Sequence, residues 1–261
     1  MLHVTQYKSI FISDIHLGTR GCQADALCDF LKTHTCENLF LVGDILDGWR
    51  MQKRWYFPQS HANVIRRILT KAKRNTNVYY LLGNHDEALR QFLKFDISFG
   101  DIQILDRMDY EATNGKRYLV IHGDFFDVLM RDKKWLMHLG DAAYDAMIWF
   151  NIQFNKVRGL FGLKYWSLSK WLKHNTKQAV KFINRYEEYV AEYCENHGYD
   201  GIVCGHIHFA EQRMIGNVEY MNTGDWVESA TALLEHVDGT FEIYYHEEED
   251  TNSNRQSTGT D

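Results

Sequence analysis

Lys8-Ser9-Ile10-Phe11-Ile12-Ser13-Asp14-Ile15-His16-Leu17-Gly18 is an apolar run that ends in two side chains able to hold a metal ion. The same arrangement recurs four more times, in order, along the 261 residues. Leu39-Phe40-Leu41-Val42 leads into Gly43-Asp44-x-x-Asp47, and Val78-Tyr79-Tyr80-Leu81-Leu82 leads into Gly83-Asn84-His85-Asp86. Leu119-Val120-Ile121 leads into His122-Gly123-Asp124, and Ile202-Val203-Cys204 into Gly205-His206-x-His208. Short runs rich in β-branched and aromatic residues read as strands. In open α/β sheets the carboxyl ends of strands form the crevice where ligands bind. Five ligand blocks at five such ends can therefore converge on one point, which makes a metalloenzyme the first expectation.

The segments between the early strands have helical spacing. Asp25 to Lys32 and Pro58 to Lys73 repeat apolar residues with the helix period, and Pro58 suits a first helical turn. Strands alternating with helices imply a βαβ start with parallel pairing. Asn114-Gly115, Gly216-Asn217 and Asp238-Gly239 are turn dipeptides between strand-like runs, so Gly201 to His246 reads as largely antiparallel. Phe126 to His197 has helical spacing throughout, with breaks near Gly159 and Gly162. Metal blocks lie on both sides of it. The expected organisation is a core of residues 1–125 and 198–246, a helical cap inserted at 126–197 and packed over the site, and a disordered polar tail at 247–261.

Composition bounds the class. Hydrophobic residues make up 45% and charged residues 25%, as in ordinary globular chains. No apolar run approaches the roughly 18 residues of a spanning helix, and the N-terminus enters a strand without the basic and apolar regions of a secretory signal. The five cysteines are scattered, with no Cys-x-x-Cys pair, which suits reduced thiols in the cytosol. Net charge is −6, yet Arg131 to Lys181 holds ten Lys and Arg against three Asp. That basic segment also contains four of the seven tryptophans, Trp135, Trp149, Trp166 and Trp171. It is built to meet something anionic.

The blocks support one kind of chemistry jointly, although each has an ordinary structural use alone. Asp after Gly can cap a helix, and Gly-Asn can be a turn. Together they offer carboxylate, imidazole and carboxamide ligands without Cys, a set that suits Mn, Fe or Zn in a catalytic rather than a structural site. Two divalent cations about 3.5–4 Å apart clamp the attacking and leaving oxygens of a phosphoryl displacement. An uncoordinated histidine nearby can protonate the leaving oxygen.

The ordered set D-x-H, G-D-x-x-D, G-N-H-D, H and G-H-x-H resembles the signature of the calcineurin-like metallophosphoesterases, over Asp14 to His208. The resemblance implies two mixed β-sheets packed face to face and flanked by helices, an α/β fold. It implies that Asp14, His16, Asp44 and His208 hold one cation and that Asp44, Asn84, His122 and His206 hold the other, with Asp44 as the bridge. His85 is then the general acid, and Asp47 and Asp86 orient or tune it.

Within that superfamily, Ser13-Asp14-Ile15-His16-Leu17-Gly18, the Trp-rich insertion, Gly205-His206-Ile207-His208 and Gly224-Asp225-Trp226 are similar to the UDP-2,3-diacylglucosamine hydrolase group of lipid A biosynthesis. That resemblance implies Mn-dependent cleavage of the pyrophosphate of a diacylated UDP-sugar, giving UMP and the lipid sugar 1-phosphate. Members of that group carry Arg where this chain has His85, the residue general to the superfamily. Lys173 and Lys177, one helical turn apart in the basic insertion, are the expected phosphate contacts at the rim of the cap. The implied setting is cytoplasmic, with peripheral contact to the inner face of an anionic membrane and no nucleic-acid partner.

Two rivals stand beside this reading. One is another phosphodiesterase or phosphatase of the superfamily, acting on a nucleotide or a phosphoprotein. A protein phosphatase would show Arg-Gly after the second block, whereas here Asp47 precedes Gly48-Trp49. The other is a non-catalytic scaffold, which would be expected to lose ligands, while all seven expected ligands are present.

Overall fold

The computed structural model of the chain describes residues 5–95, 98–99, 101–129, 154–155, 157–158 and 177–246. Strand β1 (Thr5–Ile12) is followed by α1 (Ala24–Thr33), β2 (His34–Val42), the short helix α2 (Gly48–Lys53), α3 (Gln59–Lys73) and β3 (Asn77–Leu81). A 3-10 helix (Glu87–Phe95), β4 (Ser98–Phe99), β5 (Ile102–Leu105), β6 (Arg107–Glu111), β7 (Arg117–Ile121) and α4 (Asp124–Leu129) come next. Helix α5 (Lys177–Asn196) leads back to β8 (Gly201–Cys204), β9 (Glu211–Ile215), β10 (Val218–Asn222), β11 (Thr231–Glu235) and β12 (Phe241–Tyr245).

The strands form two mixed sheets. One has seven strands in the order β12-β11-β1-β2-β3-β5-β4, and the other has five in the order β6-β7-β8-β10-β9. Pairing is parallel across β1-β2-β3-β5 and across β7-β8-β10. The hairpins predicted at Asn114-Gly115, Gly216-Asn217 and Asp238-Gly239 join β6 to β7, β9 to β10 and β11 to β12, all antiparallel.

Strand alternation sends each run to two different cores. Phe11, Phe40, Val42 and Leu81 face Tyr110, Tyr118, Val120, Val203 and Met221 between the sheets. There the Phe11 and Phe40 rings stack at 4.5 Å, with Tyr110 edge-on to both. The alternate residues Ile10, Ile12, Leu39 and Leu41 face outward onto Leu27, Phe30 and Leu31 of α1 and Val64 and Ile68 of α3. On the far side Leu119, Ile121, Ile202 and Cys204 meet Phe126 of α4 and Tyr186, Val190 and Cys194 of α5. The architecture is therefore helix, sheet, sheet, helix. Burying one such aliphatic side chain contributes about 1.5–3 kcal/mol, so the alternation sets the register firmly.

Helix α1 buries Leu27, Phe30 and Leu31 at helical spacing, and passes straight into β2 because His34 is already extended. Pro58 stands at the N-cap of α3, just ahead of the first turn. Most of the segment expected to form a cap, 126–197, and the tail 247–261 lie outside the described residues. No helix among the described residues is long and apolar enough to cross a membrane.

Candidate metal centre

All five predicted blocks fall where their strands end. Asp14 and His16 follow β1, Asp44 and Asp47 follow β2, and Asn84, His85 and Asp86 follow β3. From the second sheet, His122 follows β7, and His206 and His208 follow β8. The parallel pairing of β1, β2 and β3, and of β7 and β8, brings these ends to one edge of the sandwich. The turns are sharp. Among the described residues, seven other than glycine have left-handed backbone, and five of them are Asp14, His16, Asp44, His206 and His208. Such conformations are held only where the surroundings impose them, and they cluster at functional sites.

Glycines let the blocks approach one another. A Cβ on Gly43 would collide with the His122 ring, one on Gly83 with the Asp44 carboxyl, and one on Gly205 with Asp14 and Ser13. Backbone bonds pin the loops: Asp14 N donates to Gly43 O at 3.0 Å, His16 N to Asp44 O at 2.9 Å and Gly205 N to His122 O at 3.0 Å. The carboxylates are held as well. Asp14 Oδ2 accepts from Ser13 Oγ at 2.5 Å and from His206 N at 2.9 Å, and Asp44 Oδ1 accepts from His85 N at 2.8 Å.

Each histidine of the predicted ligand set faces two ways. His16 Nδ1 lies 3.3 Å from Asp47 Oδ2, while its Nε2 is 3.9 Å from both Asp14 Oδ1 and Asp44 Oδ2. His122 Nδ1 meets the Val42 carbonyl at 2.8 Å, and its Nε2 is 3.3 Å from Asp44 Oδ2. His208 Nε2 is 3.1 Å from Asp14 Oδ1, with Nδ1 turned towards Asp225 at 3.9 Å. His206 Nε2 meets Asp127 Oδ2 at 2.7 Å, which leaves Nδ1 for a cation. An outer acceptor on one ring nitrogen is the usual companion of a metal on the other.

Among the described residues three tight groups result, Asp14 with His16 and His208, Asp14 with Asp44 and His122, and His16 with Asp47 and His85, the ligand atoms of each lying within 4.8 Å of one another. Asp44 Oδ2 lies between His16 and His122, as a bridging carboxylate must. Asp14 Oδ1, Asn84 Oδ1 and His122 Nε2 are buried with no hydrogen-bond partner. Leaving such an atom unsatisfied costs about 1–3 kcal/mol. Two of them, Asp14 Oδ1 and His122 Nε2, lie in one group with Asp44 and fit cation ligands.

The electrostatics agree. Burial pushes the Asp14 carboxyl up, but His208, His122 and His16 outweigh it and hold Asp14 well below the usual carboxylate range. For Asp44 burial is outweighed in the same sense by His122 and His16, and for Asp47 by His16 and His85. The imidazoles respond in reverse. Burial lowers His16, yet Asp47, Asp44 and Asp14 raise it to about 9, and Asp44 and Asp14 likewise raise His122 despite its burial. The point where the blocks meet is strongly negative and draws positive charge.

His85 stands beside this group, with Nε2 3.9 Å from Asp44 Oδ2 and Nδ1 3.1 Å from Asp47 Oδ1, an ion-pair distance off the hydrogen-bonding line. Of its two expected tuners the structure brings Asp47 to it, and not Asp86. Asp86 accepts from Ile45 N at 3.2 Å, Leu46 N at 3.0 Å and the Tyr80 hydroxyl at 2.6 Å, and so ties the loop after β2 to that after β3. Burial and the nearby Asp44 push its carboxyl up to about 6. Lys173 lies outside the described residues, and Lys177 is placed only as the first residue of α5. Sequence reasoning missed Asp127, Tyr80 and Ser13. Asp127 of α4 and Tyr80 of β3 become partners of His206 and Asp86 only through packing, while Ser13 is the neighbour of Asp14 and bonds its carboxylate directly.

A family model described as calcineurin-like phosphoesterase matches residues 7–210. Among curated proteins, the UDP-2,3-diacylglucosamine hydrolase of Blochmanniella pennsylvanica (strain BPEN) is 25% identical over 118 residues, 44% of this chain and 46% of that protein. The chain thus spans about half the length of that relative. Among solved structures, an archaeal phosphodiesterase is 12% identical with a TM-score of 0.43, covering 91% of this chain and 98% of its own. Vps29 from Entamoeba histolytica complexed with zinc is also 12% identical with a TM-score of 0.43, covering 91% and 97%.

Proposed function

Because the chain belongs to the calcineurin-like phosphoesterase family, we propose that it hydrolyses a phosphoric ester or anhydride at a pair of divalent cations. The observation that supports this most is the two-way placement of His16 and His122, each with Nδ1 on an outer acceptor and Nε2 turned to the Asp44 carboxylate, at 3.9 and 3.3 Å. In this reading Asp14, His16, Asp44 and His208 hold one cation, and Asp44, Asn84, His122 and His206 hold the other. Manganese is the proposed metal, with iron or zinc as the alternatives for this donor set. Such a pair supplies the Lewis-acid charge that phosphoryl transfer needs.

The chain's own residues do the rest. His85 reaches the edge of the ligand group without being needed as a ligand, so it can hold a proton for the departing oxygen. Asp47 sets the angle of the His85 ring and of the His16 ring at once, through its two carboxylate oxygens. The close-set glycines and pinned loops fix these groups before substrate arrives, which is what efficient electrostatic catalysis requires.

The proposed substrate is the pyrophosphate of UDP-2,3-diacylglucosamine or a similar lipid-linked sugar nucleotide, released as UMP and the lipid sugar 1-phosphate. The matched curated relative and the basic, Trp-rich segment 131–181 favour it. The proposed setting is the cytoplasmic face of a membrane, reached peripherally, with 126–197 as a cap over the acyl chains. The test is to incubate the manganese-loaded protein with UDP-2,3-diacylglucosamine and identify products by mass. Release of UMP supports the reading. Cleavage of simple phosphodiesters with the lipid nucleotide left intact would reassign the substrate. Inactivity on every ester, with two cations bound, would favour a scaffold.

A further inference from the structure

Between Asp47 and Pro58 the chain leaves the metal centre along α2 and carries a surface that hydrolysis alone does not use. Trp49 and Trp55 are 41% and 74% exposed. Arg50, Lys53 and Arg54 are exposed with them, and no acidic residue occurs from Gly48 to Ser60. Two exposed indoles amid cations, beside a negative metal centre, call for an explanation.

Trp49 links this surface to the chemistry. Its ring centroid lies 4.3 Å from that of His85, at 37°. The helix is also anchored. Asp47 Oδ1 accepts from Arg50 N at 2.8 Å, and Gly48 N donates to the His85 carbonyl at 3.2 Å. The Met51 side chain seats against Gly18, where a Cβ would come within 2.6 Å of it. Lys53 is one helical turn beyond Trp49 and shares its face. An aromatic plane and a cation therefore stand together on a fixed element that borders the proposed proton donor.

We propose that α2 is a nucleotide-recognition arm, in which Trp49 stacks a nucleobase next to the phosphate being cleaved while Lys53 and Arg54 meet the flanking phosphate charge. The inference rests on the phosphoesterase reading above and adds to it which part of the substrate is read, and by which residues. Stacking on an exposed indole suits a base, because every base offers a flat π-face and needs no enclosing pocket. An acyl chain would need an enclosed apolar groove to leave water, and here the indoles alternate with Arg and Lys. Positive charge beside the ring matches the phosphates of a nucleotide.

Two soluble esters with one leaving group test it: thymidine 5′-(p-nitrophenyl phosphate) and methyl p-nitrophenyl phosphate. Nitrophenolate needs no proton, so disturbance of His85 cancels in their ratio. The wild type should favour the nucleoside ester in kcat/KM by about tenfold or more, the weight of one stacked base. Trp49→Ala should bring that ratio towards unity and Trp49→Phe should retain most of it. UMP should inhibit more tightly than ribose 5-phosphate, and Trp49→Ala should remove the difference. Lys53→Ala with Arg54→Ala should weaken inhibition by UDP more than by UMP. A wild-type ratio near unity overturns the inference and leaves the phosphoesterase reading intact, whereas cleavage of neither ester, nor of UDP-2,3-diacylglucosamine, overturns both. Proportional losses on both esters in Trp49→Ala, with the ratio kept, would overturn the inference and make Trp49 a mere support for the ligand loops. An unchanged ratio with lost binding of Trp49→Ala/Trp55→Ala protein to anionic phospholipid vesicles would assign the arm to a membrane surface instead.

Discussion

Asp47 stands beside two imidazoles and caps a helix at once, and in the proposed reading the residues around it divide into those that hold cations and those that act beside them. His85 is proposed for the second kind. His85→Ala should lose about 10²–10⁴ in rate on an alkyl ester with a poor leaving group, and far less on a nitrophenyl ester. Bound metal, counted by elemental analysis, should be unchanged, and equal losses on both esters would remove the acid role. Asp127 acts through His206, whose Nε2 it occupies. Asp127→Asn should weaken binding of one of the two cations by about 10–100-fold in a metal titration, with Asp127→Glu recovering part of it. Activity of Asp127→Asn should return as metal is raised. The five blocks were legible because each packs its donors within a few residues of a strand end. Asp127 was not, since its partner is 79 positions away and reached only through the packing of α4. Asp86 was legible as a site residue, but its ties to Ile45, Leu46 and Tyr80 were not, because they depend on tertiary placement.

At the scale of elements, the ligand loops work because strands end abruptly and glycines leave no side chain in the gap. Gly83→Ala would drive a Cβ into the Asp44 carboxyl. It should cost about 1–3 kcal/mol of stability by crowding and should lower metal affinity as well. Gly115→Ala, in the β6–β7 hairpin, meets no atom within 4 Å and should cost only about 1 kcal/mol for its left-handed backbone, leaving metal binding alone. Denaturation midpoints and a metal titration on the two variants check the contrast. The five strands that carry ligands, the helices α1 and α3 and the three hairpins could all be read from periodicity and turn dipeptides. Helix α2 could not, because its six residues bury no apolar face. The 3-10 helix and the two-residue β4 likewise lack a periodic signal long enough to read.

For the whole molecule, the proposed ligands come from both sheets: Asp14, His16, Asp44 and Asn84 follow strands of the seven-stranded one, His122, His206 and His208 strands of the five-stranded one. Cations bound there would tie the two halves of the sandwich. At a free metal concentration of about 100 times Kd, binding should add about 2.7 kcal/mol per site, seen as a higher Tm than in EDTA. The gain should depend on pH. In the metal-free protein His16 is raised from 6.5 to about 9, so its proton stabilises the fold below 6.5 and that contribution is lost as pH rises through 9. Metal ligation requires the imidazole unprotonated. The Tm difference between metal and EDTA should therefore widen from pH 6.5 to 9, and a constant difference would contradict the proposed role of His16. The left-handed backbone at the ligands carries a further consequence, an evolutionary one. His208 has φ 52°, and for a side chain other than glycine that conformation costs about 1–2 kcal/mol. In EDTA, His208→Gly should melt above His208→Ala, reversing the usual order of those two residues. Descendants freed from catalysis would then lose least by exchanging these histidines for glycine rather than for any other small residue.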